Sequence, residues 1–247
     1  MKKLRFNHGK WHFELIEALG CSRTLRGYCN NTSAVHTHLQ TDGRPRRVTE
    51  GGKLVNIPKN ETSKWVESIS SSINIAFEAY SRQLVVVAVS VTEAALAEAF
   101  SALFSARPEL IKSLEGELNQ AGLRISVTFD ELNSADDIES LRLTILERAV
   151  AVAVQGKTKN VMKRVERLFG FAIESTLSAR YAELLQTRNR IVHEHNRESV
   201  SEDDIAGFFN TCISFVEFLA RAAISAKVPV DDPMMLFVDR PDYDDTE

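Results

Sequence analysis

From Glu61 to Val228 apolar residues return every three to four positions while glycine and proline become rare, the spacing of helices that each bury one face. A first helix is predicted from about Thr62 to Phe104, with Ser81 as the point where it could break. Its second half, LVVVAVSVTEAALAEAFSALF from Leu84, is apolar nearly all round and therefore central in a bundle. Pro108 opens a shorter helix ending near Gly122, since proline's fixed φ suits a first helical turn. The LRISVTF that follows reads as more extended than helical. Ser134 with Asp137 three positions on is a variant capping box, opening a helix to about Val154. A basic helix over Lys157 to Phe169 comes next, then one starting near Glu174 that carries Tyr181, Leu184, Leu185, Ile191 and Val192. Ser201 with Asp204 marks the last helix, which buries Phe208, Phe209, Ile213, Phe215, Val216 and Leu219 and runs to about Ala226. No internal repeat and no sustained heptad register is present.

Before Glu61 the texture differs. Turn residues (Asn30-Asn31, Asp42-Gly43-Arg44-Pro45, Gly51-Gly52) separate a short amphipathic piece near Trp11 to Leu19 from β-like runs around Val35 to Leu39 and Lys53 to Ile57. The expected fold is all-α: a helical bundle over 61–228, a small mixed N-terminal segment over 1–60, and an acidic tail over 229–247 that is either disordered or draped on the bundle.

Composition narrows the class. With 44% hydrophobic and 26% charged residues, 11 Gly, 6 Pro and a mean hydropathy of −0.16, the chain is neither low-complexity nor disordered as a whole. The longest mainly apolar run, Leu84 to Ala97, contains Ser90, Thr92 and Glu93 and falls short of the roughly 20 residues of a membrane span. No secretory h-region is seen. A cytoplasmic protein with no membrane partner is expected, its three cysteines (Cys21, Cys29, Cys212) reduced. The net charge of −4 conceals an asymmetry: residues 1–60 carry 11 Lys/Arg against 4 Asp/Glu, whereas 231–247 carry 7 acids against Arg240 alone. An anionic partner is therefore compatible with the acidic total, because steering depends on where charge sits.

The densest chemistry lies in AELLQTRNRIVHEHNR, from Ala182 to Arg197, at a helix end just before the final helix. Basic and polar residues there can simply close the last turn and complement the helix dipole. The spacing adds something more. Asn189 and His193 are i,i+4 and share a face, and Arg188 and His195 are seven apart and share another. Imidazole beside guanidinium is also the pairing phosphodiester chemistry needs, one to move protons near neutral pH and one to hold phosphate.

Arg188-Asn189-Arg190-Ile191-Val192-His193 resembles the Arg-x4–6-His motif of the HEPN superfamily, the higher eukaryote and prokaryote nucleotide-binding domain. The long apolar first helix with an embedded acid, Glu93, and the polar linker before a final apolar helix resemble it too, over about 62–226. Its features are closest to the RiboL-PSP-like bacterial defence branch. The resemblance implies an all-α, HEPN-type up-and-down bundle and a metal-independent endoribonuclease of a toxin–antitoxin or phage-defence system, needing no cofactor. It implies that His193 acts as acid/base on the ribose 2′-hydroxyl or the leaving 5′-oxygen, Arg188 stabilises the scissile phosphate, and Asn189 orients one or the other. His195 satisfies the motif at its longest spacing, so two imidazoles are candidates, His193 the favoured one. One histidine cannot easily serve both sides of an in-line displacement, hence a homodimer that joins two motifs. RNA is the implied substrate, and an antitoxin or regulatory protein is a further partner.

KTKNVMKRVER adds Lys157, Lys159, Lys163, Arg164 and Arg167, which with Arg190 form the candidate RNA-tracking surface; the same residues also read as a solvated face over Val161, Val165 and Leu168. His8, His12, Cys21, Cys29, His36 and His38 are donors of the types zinc accepts, but their spacing matches no compact finger, and no metal site is expected. Glycine-rich phosphate loops, a G-x-S-x-G elbow and H-E-x-x-H are absent. Two other readings stay open: a non-catalytic HEPN-like module that binds RNA or protein, and a helical scaffold whose motif match is accidental.

Overall fold

A computed structural model describes residues 4–41, 46–58, 61–120, 127–135, 137–193 and 199–231. Of these, 79% are helical and 5% are in strands, so the chain is predominantly all-α.

Two long helices carry the core. Helix α3 here denotes Thr62–Ala106, and α9 denotes Glu202–Ser225. The first is one unbroken helix of 45 residues, about 67 Å at 1.5 Å per residue. Ser81, expected as a break point, is 2% exposed inside it. Up to Phe77 its surface is mostly exposed; from Leu84 it buries Val85, Ala88, Val89, Leu96, Phe100 and Leu103. Thr92 is tolerated there because its hydroxyl donates to Ala88 O at 2.7 Å. Alongside lies α9, whose Phe209, Cys212, Phe215, Val216 and Leu219 are all at 0% exposure. By length and composition both helices could cross a membrane, but in this fold they pack on each other, with 50% and 56% of the relevant windows buried.

The N-terminus joins this core. The predicted amphipathic piece lies in the first half of a 22-residue helix, α1 (His8–Cys29), preceded by a two-residue strand β1 (Phe6–Asn7). Asn7 N–H donates to Glu98 Oε1 at 2.6 Å and Arg26 sits over the Phe77 ring, so α1 runs antiparallel to α3. β1 pairs in parallel with β4 (Val230–Asp231) beyond the end of α9, and Arg26 meets Glu202 at 3.0 Å at its start. Phe6, Trp11 and Leu15 thereby enter the same hydrophobic cluster as the bundle helices. The β-like run at Val35 to Leu39 is instead helix α2 (Thr32–Gln40), nucleated by the Asn31 side chain accepting from Ala34 N–H; the cap and the contact with α3 outweigh β-propensity. The run from Lys53 is a strand as expected: β2 (Arg46–Val48) and β3 (Leu54–Asn56) form a hairpin whose turn needs the positive φ of Gly52 (+76°).

Pro108 opens not an α-helix but a 3₁₀ helix, Pro108–Leu114, which passes into α4 (Glu115–Gln120). Residues 121–126, most of the stretch expected as extended, lie outside the described residues. Its last residue, Phe129, starts helix α5 (Phe129–Ser134), because Thr128 and Glu131 form a reciprocal capping box. Ser134 therefore ends α5 rather than starting the next helix. That helix, α6 (Ile138–Val154), is capped by Asp137, which accepts from Ser140 N–H at 2.7 Å. Helix α7 (Thr158–Phe169) follows Lys157 and ends at Gly170, whose φ of +68° closes the turn. Helix α8 is Ser175–His193. The Ser201/Asp204 box at the head of α9 forms as its spacing predicts.

Arg148 of α6 pairs with Glu131, and this bond, with the Thr128 backbone N–H, holds the Glu131 carboxyl down at about 2 against an ordinary value of 4.5. A lowered folded pKa contributes stability that is complete above the ordinary value and is lost as pH falls through the folded one. Melting temperature should thus decline between pH 4.5 and 2, and Glu131→Gln should lower it at neutral pH and flatten that decline. Parallel profiles for the two proteins would show that the Glu131–Arg148 tie carries no stability.

Candidate functional site

Helix α8 hangs on the core by its N-terminal half. Tyr181 stacks on Phe215 of α9 with ring centroids 4.2 Å apart and planes 3° from parallel, and Leu184 is at 0% exposure. Burial pushes the Tyr181 hydroxyl pKa well up, with smaller contributions from Cys212 and Glu93, so the embedded acid of α3 lies toward α8 although its own side chain is exposed. Cys212 is likewise pushed up to about 12 by burial, which leaves an inert thiol rather than a nucleophile.

Arg188 continues the Tyr181–Leu184 stripe and is half-buried. Its Nη1 donates to Asn189 Oδ1 at 3.1 Å, while its Nε is buried and has no hydrogen-bond partner among the described residues. An unpaired buried donor costs on the order of 1–3 kcal/mol, a cost that donation to a ligand oxygen would recover. Asn189 and His193 are exposed and lie one turn apart on one face. Five residues at 100° each put His193 about 140° around the helix from Arg188. A single helix therefore does not aim both at one phosphate. His195 lies outside the described residues.

Arg190 points elsewhere. Its Nη2 donates to Thr187 Oγ1 at 3.3 Å, and it lines a cavity of about 200 Å³ between α8 and α9 with Glu183, Thr187, Val200, Asp204 and Phe208. A second cavity of about 480 Å³ continues along the same groove past Arg180, Asp203, Asn210 and Thr211. Ser201 bonds keep the Asp204 carboxyl below its ordinary range, so it stays charged. With Glu183, Asp203 and Asp204 against Arg180 and Arg190, this groove does not favour a phosphodiester backbone. Sequence reading missed it. The signal was present, since Glu183, Thr187 and Arg190 stand at i, i+4 and i+7 and the capping box fixes Asp204 opposite them.

The basic helix divides. Arg164 is drawn inward: it bonds Glu117 of α4 and the carbonyls of Gln155 and Ala153 at the end of α6, with its side chain 13% exposed. Arg167 Nη2 meets Glu117 Oε1 at 2.9 Å. Desolvation works against the Glu117 carboxylate, but the bonds from Arg167 and Arg164 outweigh it and its pKa falls. Arg164 thus serves to close α6 rather than to face a ligand, a role that i,i+4 spacing within α7 does not reveal. Lys157, just before α7, and Lys159 and Lys163 on it remain exposed.

No family of known proteins, no curated protein and no solved structure matches this chain.

Among the described residues, no group of three or more His, Cys, Asp or Glu side chains could hold a metal ion. His8 and His12, one turn apart on α1, have ring centroids 5.4 Å apart, and the run holding His36 and His38 is helical instead of extended.

Proposed function

We propose that the chain is a HEPN-type, metal-independent endoribonuclease that cleaves RNA by attack of the ribose 2′-hydroxyl, in a bacterial toxin or phage-defence setting. The observation that carries this reading is the half-buried Arg188 with an unpartnered Nε, bonded to Asn189, at the exposed helix end that also bears His193. Arg188 supplies charge for the phosphate, His193 moves the proton, and Asn189 fixes the guanidinium plane. Because Arg188 and His193 diverge around α8, the working site joins two copies of the chain, the imidazole of one facing the guanidinium of the other across a twofold axis. Lys157, Lys159 and Lys163 extend the phosphate-binding surface.

Pure protein incubated with labelled tRNA and mRNA in excess EDTA should cleave them, and light scattering should give the mass of a dimer that survives moderate salt while RNA affinity falls steeply. A monomer with full activity would refute the composite site. A second reading, a non-catalytic HEPN-like module, is favoured by the acid-lined α8–α9 groove, which suits a basic protein segment such as that of an antitoxin or regulatory partner. Binding of RNA without cleavage would select it.

A further inference from the structure

Where α3 ends, the core has a gap that opens to solvent. Phe104 and Ile111 are 1% and 7% exposed and belong to the main hydrophobic cluster, and Ile145 and Leu146 of α6 pack against it. These four line a groove of about 240 Å³ bounded by the end of α3, the 3₁₀ helix and α6. Leu143 lines it as well and is 46% exposed, a large apolar side chain open to water. The charge around the groove is of one sign. Among the described residues that line it, the charged ones are Lys112 and Arg142, and none is acidic. Arg142 pairs with Glu139 on its own helix at 3.6 Å, an exposed i,i+3 contact too loose to occupy a guanidinium with five donors. Lys112 is exposed and forms no ion pair with a described residue.

An apolar cleft with two cations and no acid selects a ligand that is apolar at one end and anionic at the other. Size narrows it further. At roughly 30 Å³ for each methylene-sized group, the volume of one water in the liquid, the groove takes about eight such groups. We propose that it binds an unbranched medium-chain carboxylate, the acyl chain lying against Phe104, Ile111, Ile145 and Leu146 and the head group on Lys112 and Arg142. Arg142 supplies the planar fork that matches a carboxylate, and Lys112 adds a point charge. The groove is also remote from the proposed reaction. Arg26 links Phe77 of α3 to Glu202 at the head of α9, and Phe104 lies 27 residues further along α3, about 40 Å. Ligand binding here and RNA cleavage therefore stand or fall independently.

Titration of the full chain with sodium decanoate, below micelle-forming concentrations and followed by methyl NMR, tests this. The Ile111, Ile145 and Leu146 methyls should shift saturably, with one ligand bound per chain. Butyrate, with six fewer methylenes to take out of water, should bind at least a hundredfold more weakly. Decyltrimethylammonium carries a ten-carbon chain and the opposite charge, and should bind at least tenfold more weakly than decanoate. Lys112→Glu with Arg142→Glu changes exposed residues only, so the melting temperature should stay near the parent's while decanoate binding weakens tenfold or more. Leu143→Asp, which sets a carboxylate against the ligand's head group, should weaken it in the same direction. Three results would overturn the proposal: decanoate that shifts none of the groove methyls, equal decanoate binding by the parent and the double variant, or decyltrimethylammonium binding as tightly as decanoate.

Discussion

His193→Ala should lower RNA cleavage by ~10²–10⁴-fold, the usual cost of losing general acid–base help, while changing stability by no more than about 0.5 kcal/mol. The second half of the expectation follows from exposure: His193 is exposed at the end of α8. Arg188→Ala should be equally inactive but for mixed reasons. Its half-buried stem continues the Tyr181–Leu184 stripe, so truncation also removes packing. Arg188→Lys separates the two, keeping a charged aliphatic stem while losing the planar fork that grips a phosphate. Loss of cleavage with an unchanged melting temperature in Arg188→Lys would assign the loss to chemistry. If His193→Ala cleaves like the parent while His195→Ala is inactive, the proposed reaction stands and the imidazole is reassigned.

Phe215→Ala should be the most damaging single change to the fold. Phe215 is at 0% exposure, stacked on Tyr181 and with its ring centroid 5.8 Å from that of Phe218, so it fastens α8 to α9 about two turns before Arg188. Large-to-small truncation of a buried aromatic costs ~3–5 kcal/mol, which for a chain of this size lowers the melting temperature by roughly 6–20 °C. Phe129→Ala is the control: Phe129 is 75% exposed at the start of α5, and its loss should stay within about 0.5 kcal/mol. Comparable losses for the two would mean that α8 is not held by the Tyr181–Phe215 stack.

What the sequence revealed and what it hid divide along a physical line. The central helix was legible because LVVVAVSVTEAALAEAF has no other way to bury its surface, and the head of α9 because Ser201 and Asp204 cap each other within one turn. Periods of 3.6 and caps three residues wide are local. The features that escaped are made by distant residues: β1 pairs with β4 across more than two hundred positions, and Arg164 turns inward because Glu117 and the end of α6 happen to meet it. Helix α2 was hidden differently. Val35 favours a strand in isolation, and the Asn31 cap with the contact to α3 decided otherwise. At the candidate site the residue types were readable from spacing, whereas the inward turn of Arg188 and the acid-lined groove beside Arg190 depend on how α8 lies against α9.

End-group analysis of the cleavage products, run in excess EDTA beside His193→Ala, is the most direct test of the account. Attack by the neighbouring 2′-hydroxyl leaves a 2′,3′-cyclic phosphate and a 5′-hydroxyl, and these ends should appear with the parent and vanish with the variant. Cleavage leaving a 3′-hydroxyl and a 5′-phosphate, or activity abolished by EDTA, would contradict it.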